Sequence, residues 1–311
     1  MTLPVVPGSS MSFSQINTEL GLTSTATISL NDSAVRTLAG VAASPATISI
    51  TNLSGKANQY SLTISSNQTN LNLRSYAVTA GWNQSSKLVA TINSGVYISS
   101  NSTGTPALTV SGSFPGGVSL INGGVIVGMG GIGADGAGQI NQGYGPGPTA
   151  GGLALSVSSA ISITNNNIIA GGGGGGGGGG SMGYYGPKGL YFYPGSGGGG
   201  GQSSLYNSDG GYVGAQTPGY AGGQGTISGP GAGGNGIPQA PITIRSGSGG
   251  AGGSWGSTGV SGAQAIVSQG YFRYPDNPCA PPCAGSSGGG AVSGNSNITW
   301  VATGTRYGGI S

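Results

Sequence analysis

The sequence predicts an all-β N-terminal part followed by a polyglycine-II helix sandwich, a glycine-rich lattice with connecting loops, and little α-helix. Three observations carry this. Between residues 41 and 115, short apolar segments alternate with period two, as in Ala46-Thr-Ile-Ser-Ile50, Tyr60-Ser-Leu-Thr-Ile64 and Leu88-Val-Ala-Thr-Ile92. Of the 71 glycines, only eight precede residue 116; beyond it nearly one residue in three is glycine, without the Gly-X-Y register of collagen. Finally, Gly171 to Gly180 are ten consecutive glycines between a strand-like run, Ile161 to Ala170, and an aromatic segment.

Charge is scarce. Eight Lys or Arg, five Asp or Glu and no His leave a net charge of +3, and 35% of the residues are apolar. Disordered chains combine high charge with low hydrophobicity, so simple disorder fits poorly. Basic residues are too dispersed for a nucleic-acid footprint, and no nucleic-acid partner is expected. The N-terminus lacks a basic region followed by an uninterrupted apolar stretch, so no secretory signal is read. No apolar run is long enough to span a membrane. Cys279 and Cys283, in Cys-Ala-Pro-Pro-Cys, are the only cysteines. Without His or a second pair they make a poor zinc site, and a small loop disulfide is the preferred reading, one that implies an oxidising final environment.

Residues 1–40 form an attachment segment with short helices. Ser14 is placed to cap one, and Asn31 or Asp32 a second carrying Val35 and Leu38. Residues 41–115 form a β-domain, with a sandwich and a short solenoid both open. Trp82, in this part, and Trp300, near the C-terminus, read as core because each lies in or beside a strand-like segment. A weak repeat links the halves: Thr91 to Ile98, Leu120 to Val127 and Ile163 to Ile169 each read as strand, tight turn, strand. The second and third copies run directly into glycine.

Residues 116–311 form the glycine-rich sandwich with its connecting loops. Its glycine-poor pieces, including 181–194, 202–209 and 264–284, collect most of the aromatics. A slack tether gives tyrosines no reason to gather at the ends of glycine tracts. Rods do: ordering glycine is entropically expensive, so a rod forms only where something repeats along its length. An extended threefold helix bonds nothing internally and presents every N–H and C=O to its neighbours. Without Cβ atoms neighbours approach closely enough to pair those groups, and side chains are pushed to the loops.

This alternation, carried by Gly171 to Gly180, Gly197 to Gly201, Gly219 to Gly236, Gly247 to Gly259 and Gly285 to Gly294, resembles the distal adhesins of T-even-type bacteriophage long tail fibres and glycine-rich receptor-binding proteins of other tailed phages. Met11 to Gly21 and Asn297 to Gly308 also look like tailed-phage tail proteins. The resemblance implies a virion protein at the distal end of a tail or tail fibre, made in the host cytoplasm. Its loops then meet a host outer-membrane protein or lipopolysaccharide, and residues 1–115 bind a tail-fibre or tail-tip protein. Either a single chain on a trimeric fibre or a homotrimer fits. The expected receptor-binding residues are Tyr184, Tyr185, Lys188, Tyr191, Phe192, Tyr193, Tyr206, Tyr220, Tyr271, Phe272, Arg273 and Tyr274, because exposed aromatics give large contact area at low entropic cost.

An enzyme is not expected. Without His a Ser-His-Asp triad is impossible. The five acids, Glu19, Asp32, Asp135, Asp209 and Asp276, are scattered, and only Asp209 and Asp276 stand a chance of meeting at the tip. No cofactor and no metal is expected. A structural or ice-binding glycine bundle is the alternative, disfavoured because ice binding wants flat faces rather than protruding aromatic loops such as Tyr191-Phe-Tyr193.

Overall fold

The computed structural model describes residues 3, 11–42, 46–56, 58–138, 146–212, 220–239, 244–268, 270–273, 276 and 279–311. The chain begins with two seven-residue helices, Phe13–Glu19 and Ser33–Ala39, and a 3-10 turn, Ile50–Leu53. The first is capped by Ser12, two residues before the expected Ser14: its hydroxyl accepts from the Gln15 amide while the Gln15 side chain returns to the Ser12 N–H. The second starts at the expected Asp32 and ends on Gly40 in the left-handed region. Ile16, Val35, Leu38 and Leu53 make a small core of their own. Arg36 is buried beside it, its guanidinium spent on the carbonyls of Ala42 and Ala46. Glu19 accepts from the Asn58 amide at 2.9 Å and ties this module to the root of the first strand.

From residue 59 the chain coils into a three-sided parallel β-solenoid. Gln59–Ile64, Lys87–Ile92, Val118–Asn122, Ile161–Asn165 and Ile298–Ala302 stack on the first side. Gln68–Thr69, Tyr97–Ser99, Val125–Val127, Ile168–Ala170 and Thr305–Tyr307 stack on the second, and Leu71–Asn72, Leu108–Val110, Leu155–Val157 and Val292–Ser293 on the third. All these pairs are parallel, so the solenoid and not the sandwich is what the alternation encodes. Inward positions such as Leu88, Ala90, Ile92, Leu120 and Ile163 are fully or almost fully buried. A third helix, Leu73–Thr79, contributes Leu73 and Ala77 to the same core, and Trp82 is buried there, stacked on Phe114. Trp300 packs against the core in the last turn.

The three repeat copies are the same corner in successive turns, and they join neighbouring sides of the solenoid rather than forming hairpins. Copies two and three align as read, but copy one is displaced by a residue, since Ile92 and not Asn93 stands opposite Asn122. Inward alternation sets this register, because a one-residue slip would turn every apolar side chain outward. Asn122 and Asn165 therefore point inward, and the Asn122 amide donates to the Asn165 side-chain oxygen at 2.8 Å.

The strand ladder runs across residue 115, where the composition suggests a boundary. Residues 118–127, 155–170 and 292–307 belong to the same sheets as residues 59–110, and the glycine-rich segments are insertions at one corner of the third and fourth turns. Val127 pairs with Ala170 in the ladder, and the next bond, from the Gly128 amide to the Ala170 carbonyl, carries the pairing onward into glycine. Residues 128–138 and 171–180 are neither helix nor strand.

Around residues 171–180 the hydrogen bonding repeats every third residue. Gly173, Gly176 and Gly179 donate to Gln202, Gly199 and Ser196; Gly174, Gly177 and Gly180 donate to Ser257, Val260 and Ala263; Gly172 and Gly175 donate to Gly152 and Thr149. In return Gly173, Gly176 and Gly179 accept from Gly131, Ala134 and Ala137; Gly174, Gly177 and Gly180 from Gly253, Gly250 and Gly247; and Gly172, Gly175 and Gly178 from Gly289, Ser286 and Cys283. Six segments thus surround one. They are also bonded in a closed ring, through Gly198 to Ala134, Gly199 to Gly250, Val260 to Ala251, Gly259 to Ser286, Gly151 to Ser287 and Thr149 to Ile132. Three further segments, 208–212, 220–226 and 231–236, extend the array on one flank.

This geometry explains the ten glycines. A Cβ on any of Gly171 to Gly179 would overlap a backbone carbonyl of a neighbour. Segments of the ring have an outer face, and there side chains return: Val260, Ser261 and Ala263 are exposed, while Gly259 and Gly262 face the centre.

Candidate functional site

At the end of the bundle remote from the solenoid, the segments open into loops. Two of them, widely separated in sequence, form one antiparallel sheet in which Met182–Gly186 is flanked by Gly189–Tyr193 and Tyr271–Arg273. Tyr184 lies opposite Tyr191 and Tyr271, and its ring stacks between theirs at centroid separations of 5.9 and 5.0 Å. On the other face Tyr185 meets Phe272 at 5.3 Å. Gly183 stands opposite Phe272, whose ring lies where a Cβ would be. Missing volume on one strand is thus filled by an aromatic on the next.

The sheet is fixed to the bundle from below. Met182 is buried with Ile244 and Ala265, and Tyr193 and Tyr271 pack against that cluster. The buried Ser181 hydroxyl donates to the Gly138 carbonyl at 3.1 Å and accepts from the Ala280 amide at 2.7 Å, so three loops meet on one side chain. Arg273 donates through Nη1 to the Ala265 carbonyl at 2.8 Å, and its amide to the Asp276 carboxylate. Burial, reinforced by Tyr271, Tyr191 and Tyr184, raises the Tyr193 phenol of this aromatic crown above its usual value, so that group stays protonated at physiological pH. Tyr185 is 68% exposed, and Tyr191 and Leu190 each 39%. Lys188 is exposed in the hairpin turn.

Of the expected site residues, then, Tyr184, Tyr185, Lys188, Tyr191, Phe192, Tyr193, Tyr271, Phe272 and Arg273 share one sheet and its turn. Tyr220 begins a separate segment of the bundle, its carbonyl accepting from Gly197. Tyr206 is elsewhere: its hydroxyl shares a 3.0 Å hydrogen bond with Thr69 in the first solenoid turn. The loop that carries it turns at the solenoid end, where Ser204 bonds the Ser100 carbonyl, so Tyr206 is a joint residue. Tyr274 lies outside the described residues. Asp209 accepts from Gln224, on a segment that leaves this same joint loop, while Asp276 is in the far loop; the two are not brought together.

The expected disulfide is absent: Cys279 and Cys283 are both free. The two have different surroundings. Cys283 has its amide on Gly178 and its carbonyl on Gly262, whereas Cys279 is buried under the crown with its thiol directed at the Phe272 carbonyl at 3.5 Å. Burial, with Asp276 adding to it, pushes the Cys279 thiol from 9.0 up to about 11.

Sequence reasoning missed Arg245. It is exposed, and its amide and carbonyl bridge Ile266 at 2.9 and 2.8 Å, beside Ala265, the residue that anchors Arg273. Its segment has no aromatic to draw attention. The signal was charge itself, since Arg245 is one of only eight cationic side chains.

The architecture these elements define is a parallel β-solenoid carrying a glycine-rich bundle that is crowned by an aromatic sheet. The chain belongs to the phage tail fibre adhesin Gp38 family, whose model matches residues 59–311. It is similar in fold to the crystal structure of the gp37-gp38 adhesin tip complex of the bacteriophage S16 long tail fibre, with a TM-score of 0.53 and 21% identity over 89% of this chain and 91% of that one. No match was found among curated protein sequences.

Proposed function

We propose that this adhesin sits at the distal end of its tail fibre and binds a host outer-membrane protein or lipopolysaccharide through the aromatic crown. The observation that carries this is the convergence of residues 182–193 and 271–273 into one partly exposed aromatic sheet at the end of the bundle. Rigid tyrosines give large contact area with little entropy to lose, and Lys188, Arg245 and Arg273 add cations able to meet receptor carboxylates or lipid phosphates.

The extended segments are read as polyglycine-II helices, since every third residue meets the same neighbour and such a helix has three residues per turn. Ten residues then span about 31 Å at ~3.1 Å each, which is the reach from solenoid to crown. Fixing backbone costs roughly 1–2 kcal/mol per residue and a hydrogen bond returns about 1 kcal/mol, so such a lattice needs its anchorage in a solenoid core. The protein acts by binding, without catalysis.

The N-terminal part is the attachment region. Its small module exposes Phe13 and Leu22 and precedes the stretch matched by the family model. The S16 adhesin forms a complex with gp37; a fibre protein is the corresponding partner here. Light scattering on the isolated protein distinguishes one chain per fibre from a homotrimer. The function is tested by exchanging residues 182–193 for the equivalent loop of another family member. Cell binding should follow the loop, and unchanged host range would sink the reading.

A further inference from the structure

A concave site lies at the opposite end of the bundle from the crown. Trp255 and Tyr307 face each other at 6.1 Å and 48° across a cleft of about 360 Å³ lined also by Gln202, Ser254 and Ser257. We propose that this cleft binds a neutral saccharide.

The two aromatics have different standing. Trp255 is immobilised: it packs against the cluster of Val125, Val127 and Ala170, its ring N–H donates to the Ser203 carbonyl at 3.0 Å, and its amide donates to the Gln202 side chain at 3.2 Å. Tyr307, on the outward side of the last solenoid turn, is 44% exposed, and its hydroxyl has no hydrogen-bond partner among the described residues. Neither have the hydroxyls of Ser254 and Ser257. Gln202 is held by Trp255 and by the Ile227 carbonyl, which keeps its amide fixed at the wall.

A rigid indole, a second ring set at an angle and three uncommitted hydroxyls match the apolar face and polar rim of a sugar ring. A purely apolar ligand would desolvate those hydroxyls without partners. No Lys, Arg, Asp or Glu lines the cleft, so nothing selects a charged group. The volume falls in the range of small-molecule sites. Nothing in receptor binding at the crown uses these residues, and the site stands whether or not that reading holds.

The test is saturation-transfer NMR and calorimetry on the full chain with maltose, lactose and N,N′-diacetylchitobiose, and separately with purified lipopolysaccharide. At least one probe should bind, and Tyr307→Ala or the cleft-filling Ser254→Phe should weaken it tenfold or more, while Tyr185→Ala leaves binding of the free disaccharides unchanged. Binding of free disaccharides marks a general sugar site, and binding of lipopolysaccharide alone, weakened by the cleft variants, marks a cell-surface glycan site. Circular dichroism establishes that each variant is folded, and having both keeps the test open if one is not. Failure of every probe to bind, or binding indifferent to both cleft variants, overturns the proposal.

Discussion

The amide of Ala134 donates to the carbonyl of Gly176 across 2.8 Å, and Gly176 itself cannot take a methyl group, because the Gly250 carbonyl fills that space. Gly176→Ala should therefore be far worse than an ordinary glycine substitution. Overpacking costs about 1–3 kcal/mol where side chains can give; here the obstacle is hydrogen-bonded backbone, and a loss of about 3 kcal/mol or more is expected. Ser261→Ala, on the outer face of the ring, should stay within roughly 0.5 kcal/mol of the parent. Denaturant unfolding of the two variants makes the comparison.

Position should separate tyrosines that look alike in sequence. Tyr185→Ala and Tyr191→Ala are expected to weaken binding to susceptible cells by about tenfold or more, the scale of interface hot spots, with unfolding temperature unchanged. Tyr206→Phe removes only the contact with Thr69. It should leave cell binding intact.

Ser181→Ala should loosen the crown without touching its surface. The Ala280 amide loses its acceptor and the Gly138 carbonyl a donor, and an orphaned buried group costs about 1–3 kcal/mol. Faster proteolytic cleavage within residues 264–284, with the solenoid still resistant, is the expected pattern.

The raised Cys279 thiol makes two related outcomes. At pH 8 it should alkylate much more slowly than Cys283, whose side chain is partly exposed. The folded state also holds this proton more tightly than the unfolded chain does. Its contribution to stability is therefore fully present below pH 9.0 and lost as pH rises towards about 11. Mass spectrometry of labelled protein and unfolding curves across that range read the two effects; in Cys279→Ala this part of the alkaline slope should vanish.

Much of this was legible in the residues. Period-two segments such as Leu88 to Ile92 gave strands, and the aromatics clustered at the ends of glycine tracts include those that meet in one sheet. The choice between sandwich and solenoid was not, because Leu62 or Ala90 alternates identically in either; only the parallel partners decide. Nor was the insertion. Ile163 pairs with Trp300 across the whole of the bundle, and no local pattern announces a contact at that separation. Tyr206 illustrates the same limit at the site: a tyrosine between two glycine tracts is a loop residue, but which end of the bundle its loop occupies depends on the direction of every segment before it.

Whether the crown is the surface that meets the host is tested most directly by competition. Purified protein and the Tyr185→Ala/Tyr191→Ala double variant are each titrated against adsorption of the phage to susceptible cells. Parent protein should block adsorption, and the folded double variant should need at least tenfold more. Equal potency of the two would contradict a receptor-binding crown.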